Sequence, residues 1–326
     1  MNIALDAMGG DHAPEQIVLG AVEAAKLIRG TITLVGDPQQ IANFLPKPAP
    51  ANIAIHPASQ VIEMEESPVE AMRKKRDSSM VVAVDLVKAG TADVVVSAGN
   101  TGAAAAASLL GWRQAPGIHR PAIASTFPGR KGQWLLLDAG ASPDVDPEHL
   151  VEFAQVGRMY SEIMMGRNEA KVHLLNIGEE DSKGNAFAKQ AHKLLSRHSW
   201  FAGNIEGKDL FRTDVDVVVC DAFVGNIVLK TAEGVAEFIM GSIREQLPTG
   251  TLAKLPYLPL RKLMAPLKKK TDYSEYGGSP LLGLNGLTYI CHGRSNAKAI
   301  KNALLVAAQA VEAGLLDKMK ANLVGK

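Results

Sequence analysis

Short apolar runs that end in glycine mixed with Asp, Asn or Ser recur along this chain, separated by longer stretches of helical period. Runs at 2–6, 31–35, 52–56, 93–97, 134–138, 171–177 and 215–220 are apolar at consecutive positions, as strands covered on both faces require. Parallel neighbours cannot be joined by a tight hairpin and need a crossover of a dozen or more residues. Helical sequence fills those gaps at 101–111, 147–166, 185–197, 225–247 and 296–313. Pro14 suits a first helical turn, and Ser67-Pro68 and Asp146-Pro147 read as a cap followed by proline. The spacing predicts a largely parallel α/β fold, with one domain over residues 1–326 because no linker or repeat marks a boundary.

The polar residues gather at the strand ends, in LDAMGGD (5–11), VSAGNTGA (96–103), LLDAGAS (136–142), LNIGEEDSKGN (175–185) and VCDAFVGN (219–226). In open parallel sheets, ligands bind outside the carboxyl ends of the strands, where glycine lets the backbone approach and helix N-termini attract anions. Ordinary turn chemistry accounts for any one of these segments; together they predict one polar, anion-tolerant cleft. In the sharpest segment, Asn100, Thr101 and Gly102 open an alanine-rich helix and are candidates for phosphate.

Asp6, Gly9, Gly10 and Asp11 would shape the neighbouring turn, and Gly225 and Asn226 could supply an amide and a side-chain donor. Lys183, next to Asn185, is either a cation for phosphate or a plain surface lysine. His292 lies in a loop that caps the last helix and could enter the cleft. Glu179-Glu180 reads as solvated surface or an orienting partner rather than a metal site, and Arg73–Arg76 as a solvated helix face.

Several chemistries lack their signatures. There is no Walker loop and no G-x-G-x-x-G, so no nucleotide cofactor is expected, and neither is a metal. Cys220 ends a Val-rich strand and reads as a small buried residue, and Cys291 would face away from His292 on a strand. A net charge of +1 gives no global field for nucleic acid. With only two cysteines and a first segment unlike a signal peptide, the expectation is a cytoplasmic protein.

The segments IALDAMGGDHAP, VSAGNTGA, RPAIASTFP, LLDAGAS, LLNIGEEDSKGN, VVVCDAFVGNIVLKTAEG and YGGSPLLGLNGLTYICHG, in this order, resemble the PlsX family of phosphate acyltransferases. Ala222 and Ser142 stand where that family usually has glycine and asparagine. The resemblance implies a three-layer α/β/α sandwich related to phosphotransacetylase and isopropylmalate dehydrogenase, usually as a homodimer. It also implies attack of inorganic phosphate on a long-chain acyl-carrier-protein thioester, giving acyl phosphate for phospholipid synthesis. The alternatives are a phosphotransacetylase-like enzyme using acyl-coenzyme A and a membrane scaffold without chemistry.

Residues 246–271 hold no acid, six Lys or Arg and many leucines, interrupted by Pro256, Pro259 and Pro266. Within an insertion expected at 247–272, residues 252–270 would project to an anionic membrane, to the carrier protein or to a second subunit. Peripheral membrane association is the favoured expectation.

Overall fold

The computed structural model describes residues 1–130, 132–212, 214–246 and 273–324. The stretch 247–272, with its expected membrane-facing tip, lies outside the described residues. The chain begins β1 (Asn2–Asp6), α1 (Glu15–Ala25), β2 (Thr31–Gly36), α2 (Pro38–Ala42), β3 (Ile53–Pro57), α3 (Pro68–Lys74), α4 (Ser79–Lys88), β4 (Val94–Ser97) and α5 (Thr101–Trp112). It continues through β5 (Ala122–Ile123), β6 (Ser125–Gly129), β7 (Gly132–Leu137), α6 (Pro147–Met164), β8 (Val172–Asn176), α7 (Ala186–Leu195), β9 (Phe201–Glu206), β10 (Val217–Val219) and α8 (Ala222–Glu245). β11 (Ser279–Leu282), β12 (Thr288–Ile290), α9 (Ala297–Glu312) and α10 (Leu315–Val324) complete it.

The expected parallel α/β architecture is present, split over two sheets. One has seven strands in the order β3-β2-β1-β4-β12-β11-β5, and the other five in the order β6-β7-β10-β8-β9. The run from β3 to β12 is parallel, while β11 and β5 are antiparallel to their neighbours. In the second sheet only β6 is antiparallel. The chain leaves the first sheet at Ile123 and enters the second at Ser125, with Ala124 alone between. Pro128 is tolerated in β6 because that strand is a sheet edge, where a missing N–H need not cost a ladder bond.

Both faces of β1 are covered, which is why its sequence is continuously apolar. Ile3 and Leu5 belong to one core cluster and Ala4 to another. Burying side chains the size of Ile3 and Leu5 stabilises the fold by about 1.5–3 kcal/mol each. On the first of these faces α1 crosses α9 so closely that a Cβ at Gly20 would come within 2.7 Å of the Ala297 carbonyl oxygen. Among the described residues no single helix is long and apolar enough to cross a membrane.

Candidate functional site

The strand ends of the first sheet are stitched together by backbone and buried polar groups. Asp6 is buried at the end of β1, accepting N–H bonds from Gly9 (3.1 Å) and Met8 (3.2 Å) and the Ser97 hydroxyl (2.7 Å). Burial pushes its carboxyl pKa up, opposed by the Ser79 and Ser97 hydroxyls and the two amides. A Cβ at Gly9 would lie 2.5 Å from Asp6 Oδ2 and 2.8 Å from the Gly99 Cα, so only glycine fits. Gly10 takes a φ of 112°, and Asp11 donates its N–H to the Gly293 carbonyl (2.8 Å). The turns after β1, β4 and β12 thus share one wall.

Asn100 and Gly102 serve that wall. Asn100 caps α5 by accepting the Ala103 N–H (3.0 Å), and its amide reaches the carbonyls of Met64 (2.9 Å), Glu66 (3.1 Å) and Glu63 (3.3 Å). A Cβ at Gly102 would lie 2.6 Å from Pro68 Cγ, which places this glycine in the contact between α5 and α3. The sequence reading aimed both at phosphate; the structure occupies the Asn100 polar atoms within the protein.

Asp138, just after β7, is buried in a comparable turn of the second sheet. Its Oδ1 accepts N–H bonds from Ala141 (2.9 Å), Gly140 (3.0 Å) and Ile123 (3.0 Å), and its Oδ2 one from Ser142 (2.8 Å). Burial raises this carboxyl too, and the four amides oppose the rise. The first turn of α8 presses on the same spot: a Cβ on Gly225 would fall on the Asp138 carbonyl oxygen. The Gly225 N–H donates to the Asp221 carbonyl (2.9 Å), so its task is close approach rather than the donor role expected of it.

A cleft of about 420 Å³ draws its walls from both sheets. Thr101 and Ile290–Gly293 come from the first sheet's strand ends, Ser125, Thr126, Ala139 and Gly140 from the second, and Asn226, Leu229, Lys230 and Glu233 from one face of α8. Desolvation lowers the His292 pKa; Glu233 opposes the drop, Arg294 and Lys230 reinforce it, and Asp11 opposes it. The imidazole is therefore drawn toward its neutral form at neutral pH. Cys291 lines the cleft, but burial pushes its thiol up to about 12. Burial, with Asp221 and Asp138 adding to it, likewise holds the Cys220 thiol well above its ordinary value. Neither is poised as a thiolate nucleophile. No three His, Cys, Asp or Glu side chains converge as metal ligands among the described residues.

Of the sequence candidates, Thr101, Asn226 and His292 come together in this cleft, with Asp6, Gly9, Gly10 and Asp11 behind its wall. Lys183 and Asn185 lie elsewhere. Lys183 pairs loosely with Glu180 (3.9 Å) on a loop tied down by Asn176, which donates to the Lys183 carbonyl (3.2 Å), and by Asn204, which donates to that of Glu180 (3.0 Å). Asn185 caps α7 and lines a separate open recess with Arg120, Asp144 and Asp221.

Sequence reasoning missed Lys230 and Glu233, although positions four and seven beyond Asn226 share its helix face. It missed Asp138 although residues 137–139 repeat the Leu-Asp-Ala of 5–7. Ser125 and Thr126 lie within RPAIASTFP, but no turn chemistry marked them as lining a site, because the change of sheet beside them is invisible in the pattern.

The model of a family described as fatty acid synthesis protein matches residues 1–318. A phosphate acyltransferase from Desulfitobacterium hafniense is 48% identical over 326 residues, covering 99% of this chain and 98% of the relative. Another from Thermodesulfovibrio yellowstonii is 49% identical, covering 99% and 94%. Among solved structures, a phosphotransacetylase from Streptococcus pyogenes superposes with a TM-score of 0.61 at 19% identity, covering 96% of this chain and 94% of that one. The EutD phosphotransacetylase from Staphylococcus aureus gives 0.59 at 17% identity, covering 95% and 93%. These two structures share the fold.

Proposed function

This chain belongs to the PlsX family of fatty acid synthesis proteins, and from that premise we propose that it transfers an acyl group from a thioester to phosphate. The donor in this reading is a long-chain acyl-carrier protein, and the product is an acyl phosphate used for phospholipid synthesis. What carries the reading is the cleft. It gathers Thr101, Asn226 and His292 on a chain that is 48% identical over 99% of its length to a phosphate acyltransferase.

The chemistry asks little beyond this. Near neutral pH inorganic phosphate is partly dianion, given a second pKa of roughly 6–7. Its oxygen attacks the thioester carbonyl carbon, a tetrahedral oxyanion forms, and the C–S bond breaks to release a thiolate. A thiol of pKa ~8.5 leaves without a strong acid. The protein must hold phosphate against the carbonyl and offer donors where negative charge develops. In this assignment Asn226 meets the oxyanion, and Thr101, at the start of α5, meets phosphate. His292, held toward its neutral form, stands at the reacting centre without bringing a charge of its own. Lys183 enters only if substrate draws its loop toward the cleft. The raised thiols of Cys220 and Cys291 agree with direct attack and no acyl-enzyme.

Residues 252–270 serve, in the same proposal, as the contact with an anionic membrane, which keeps an amphiphilic product beside its destination; the working assembly is a homodimer. The deciding experiment follows free thiol released from long-chain acyl-carrier protein and, in parallel, from acyl-coenzyme A, with and without phosphate. Phosphate-dependent release from the carrier protein is expected. Release from coenzyme A alone moves the donor to the phosphotransacetylase class, and no phosphate dependence with either donor ends the proposal.

A further inference from the structure

A dianion that enters a partly apolar cleft must meet compensating charge, or the loss of its hydration opposes binding. Two of the groups that could provide it are otherwise engaged. Arg294 pairs with Glu237, and Lys183 stands outside the cleft beside Glu180. His292 lines the cleft but is drawn toward its uncharged form. Lys230 is different. It lines the cleft one helical turn beyond Asn226, and among the described residues no carboxylate lies within ion-pair distance of it.

We infer that Lys230 binds a phosphate oxyanion in the cleft, on the α8 wall beside Asn226 and across from the start of α5. The inference rests on the proposed transfer to phosphate and names a residue for it. An ammonium on a flexible stem suits the purpose, because it follows an anion whose charge is redistributed during attack. Glu233, three residues further along the same wall, repels the anion and so confines it to the Asn226 side of Lys230. Two ligands carry this chemistry: inorganic phosphate and the phosphodiester of a pantetheine arm on the thioester donor.

The test is Lys230→Met and Lys230→Arg, with Lys74→Met on an exposed helix position outside the cleft as control. Steady-state rates are measured while phosphate and donor are varied in turn. Loss of a charge-assisted hydrogen bond predicts a tenfold to hundredfold rise in one KM for Lys230→Met, roughly. A rise confined to phosphate assigns inorganic phosphate, and a rise confined to the donor assigns the pantetheine arm. Lys230→Arg should recover most of the loss, and the Lys74 variant should match wild type. Calorimetric titration with inorganic phosphate and with a pantetheine phosphodiester tests the residue even in a protein without phosphate-dependent turnover. Weaker binding of either by the Met variant supports the inference. If neither binding nor either KM changes, or if wild type binds neither probe, it is overturned.

Discussion

Asp6 closes β1 in the seven-stranded sheet, and Asp138 follows β7 in the five-stranded one; each is buried, and each is preceded by leucine and followed by alanine. Around Asp6 the donors are the Met8 and Gly9 amides and serine hydroxyls, and Gly9 and Gly10 of its turn pack against Ala98 and Gly99 after β4. Around Asp138 the partners among the described residues are four backbone N–H groups, and the turn it holds, Ala139 and Gly140, faces the cleft. One carboxylate seals a wall, while the other shapes a surface. The lesson is that a buried strand-end aspartate that collects backbone N–H bonds marks a tight turn, and the packing beyond the turn decides whether it faces the cleft.

The largest effect is expected where α8 meets the second turn. Gly225→Ala drives a methyl into the Asp138 carbonyl, a backbone atom that cannot step aside cheaply. We expect a loss of about 3 kcal/mol or more, read from the urea midpoint. A variant within 0.5 kcal/mol of wild type, roughly the scatter of neutral surface changes, would show that the turn is softer than its contacts imply.

The next pair separates wall from surface. Asn100→Ala removes a helix cap and the amide that holds residues 63–66, so it should cost about 1–2 kcal/mol of stability. Asn226→Ala should leave the midpoint in place and lower kcat/KM by roughly tenfold to a hundredfold. The comparison fails if the two variants exchange phenotypes.

The last effects to compare are those of the two carboxylates. In Asp138→Asn the new NH2 must face an N–H donor, a loss of about 1–3 kcal/mol. In Asp6→Asn it faces the Ser97 hydroxyl, which can turn and accept, so the cost should stay below about 1 kcal/mol. Burial raises both carboxyls, so each binds its proton more tightly folded than unfolded. Their contribution to stability is full below the ordinary carboxylate pKa and is lost as pH rises through the raised values. Asp138→Asn should flatten that part of the pH–stability curve, and an unchanged curve would place the raised pKa elsewhere.

The parallel core was legible because β1, β2, β4, β7 and β10 are covered on both faces and read as continuous apolar runs. The second sheet was not legible as separate. Its boundary is a single residue, Ala124, between a two-residue strand and an edge strand containing proline, and none of these has a periodic signal. Thr101, Asn226 and His292 could be read from turn chemistry, since strand-end turns in such sheets point one way. Asn100 shows the limit of that reasoning. The side chain that caps a helix has the same identity as one that would bind a ligand, and only the position of the 63–66 loop tells them apart.

Between Gly225, wedged against the Asp138 carbonyl, and Glu237, tied to Arg294, α8 is a beam braced along its length by Val228, Leu229 and Ala232 packed on the core. At 1.5 Å per residue the span is about 18 Å, and Asn226, Lys230 and Glu233 hang within it. Beyond Glu237 the helix runs on to Glu245, with Phe238 largely exposed. The inner support is steric and indifferent to salt. Part of the outer support is a solvent-facing ion pair worth ~0–1 kcal/mol, screened as ionic strength rises. How firmly the outer end of α8 holds its place beside the cleft is therefore set in part by the surrounding electrolyte.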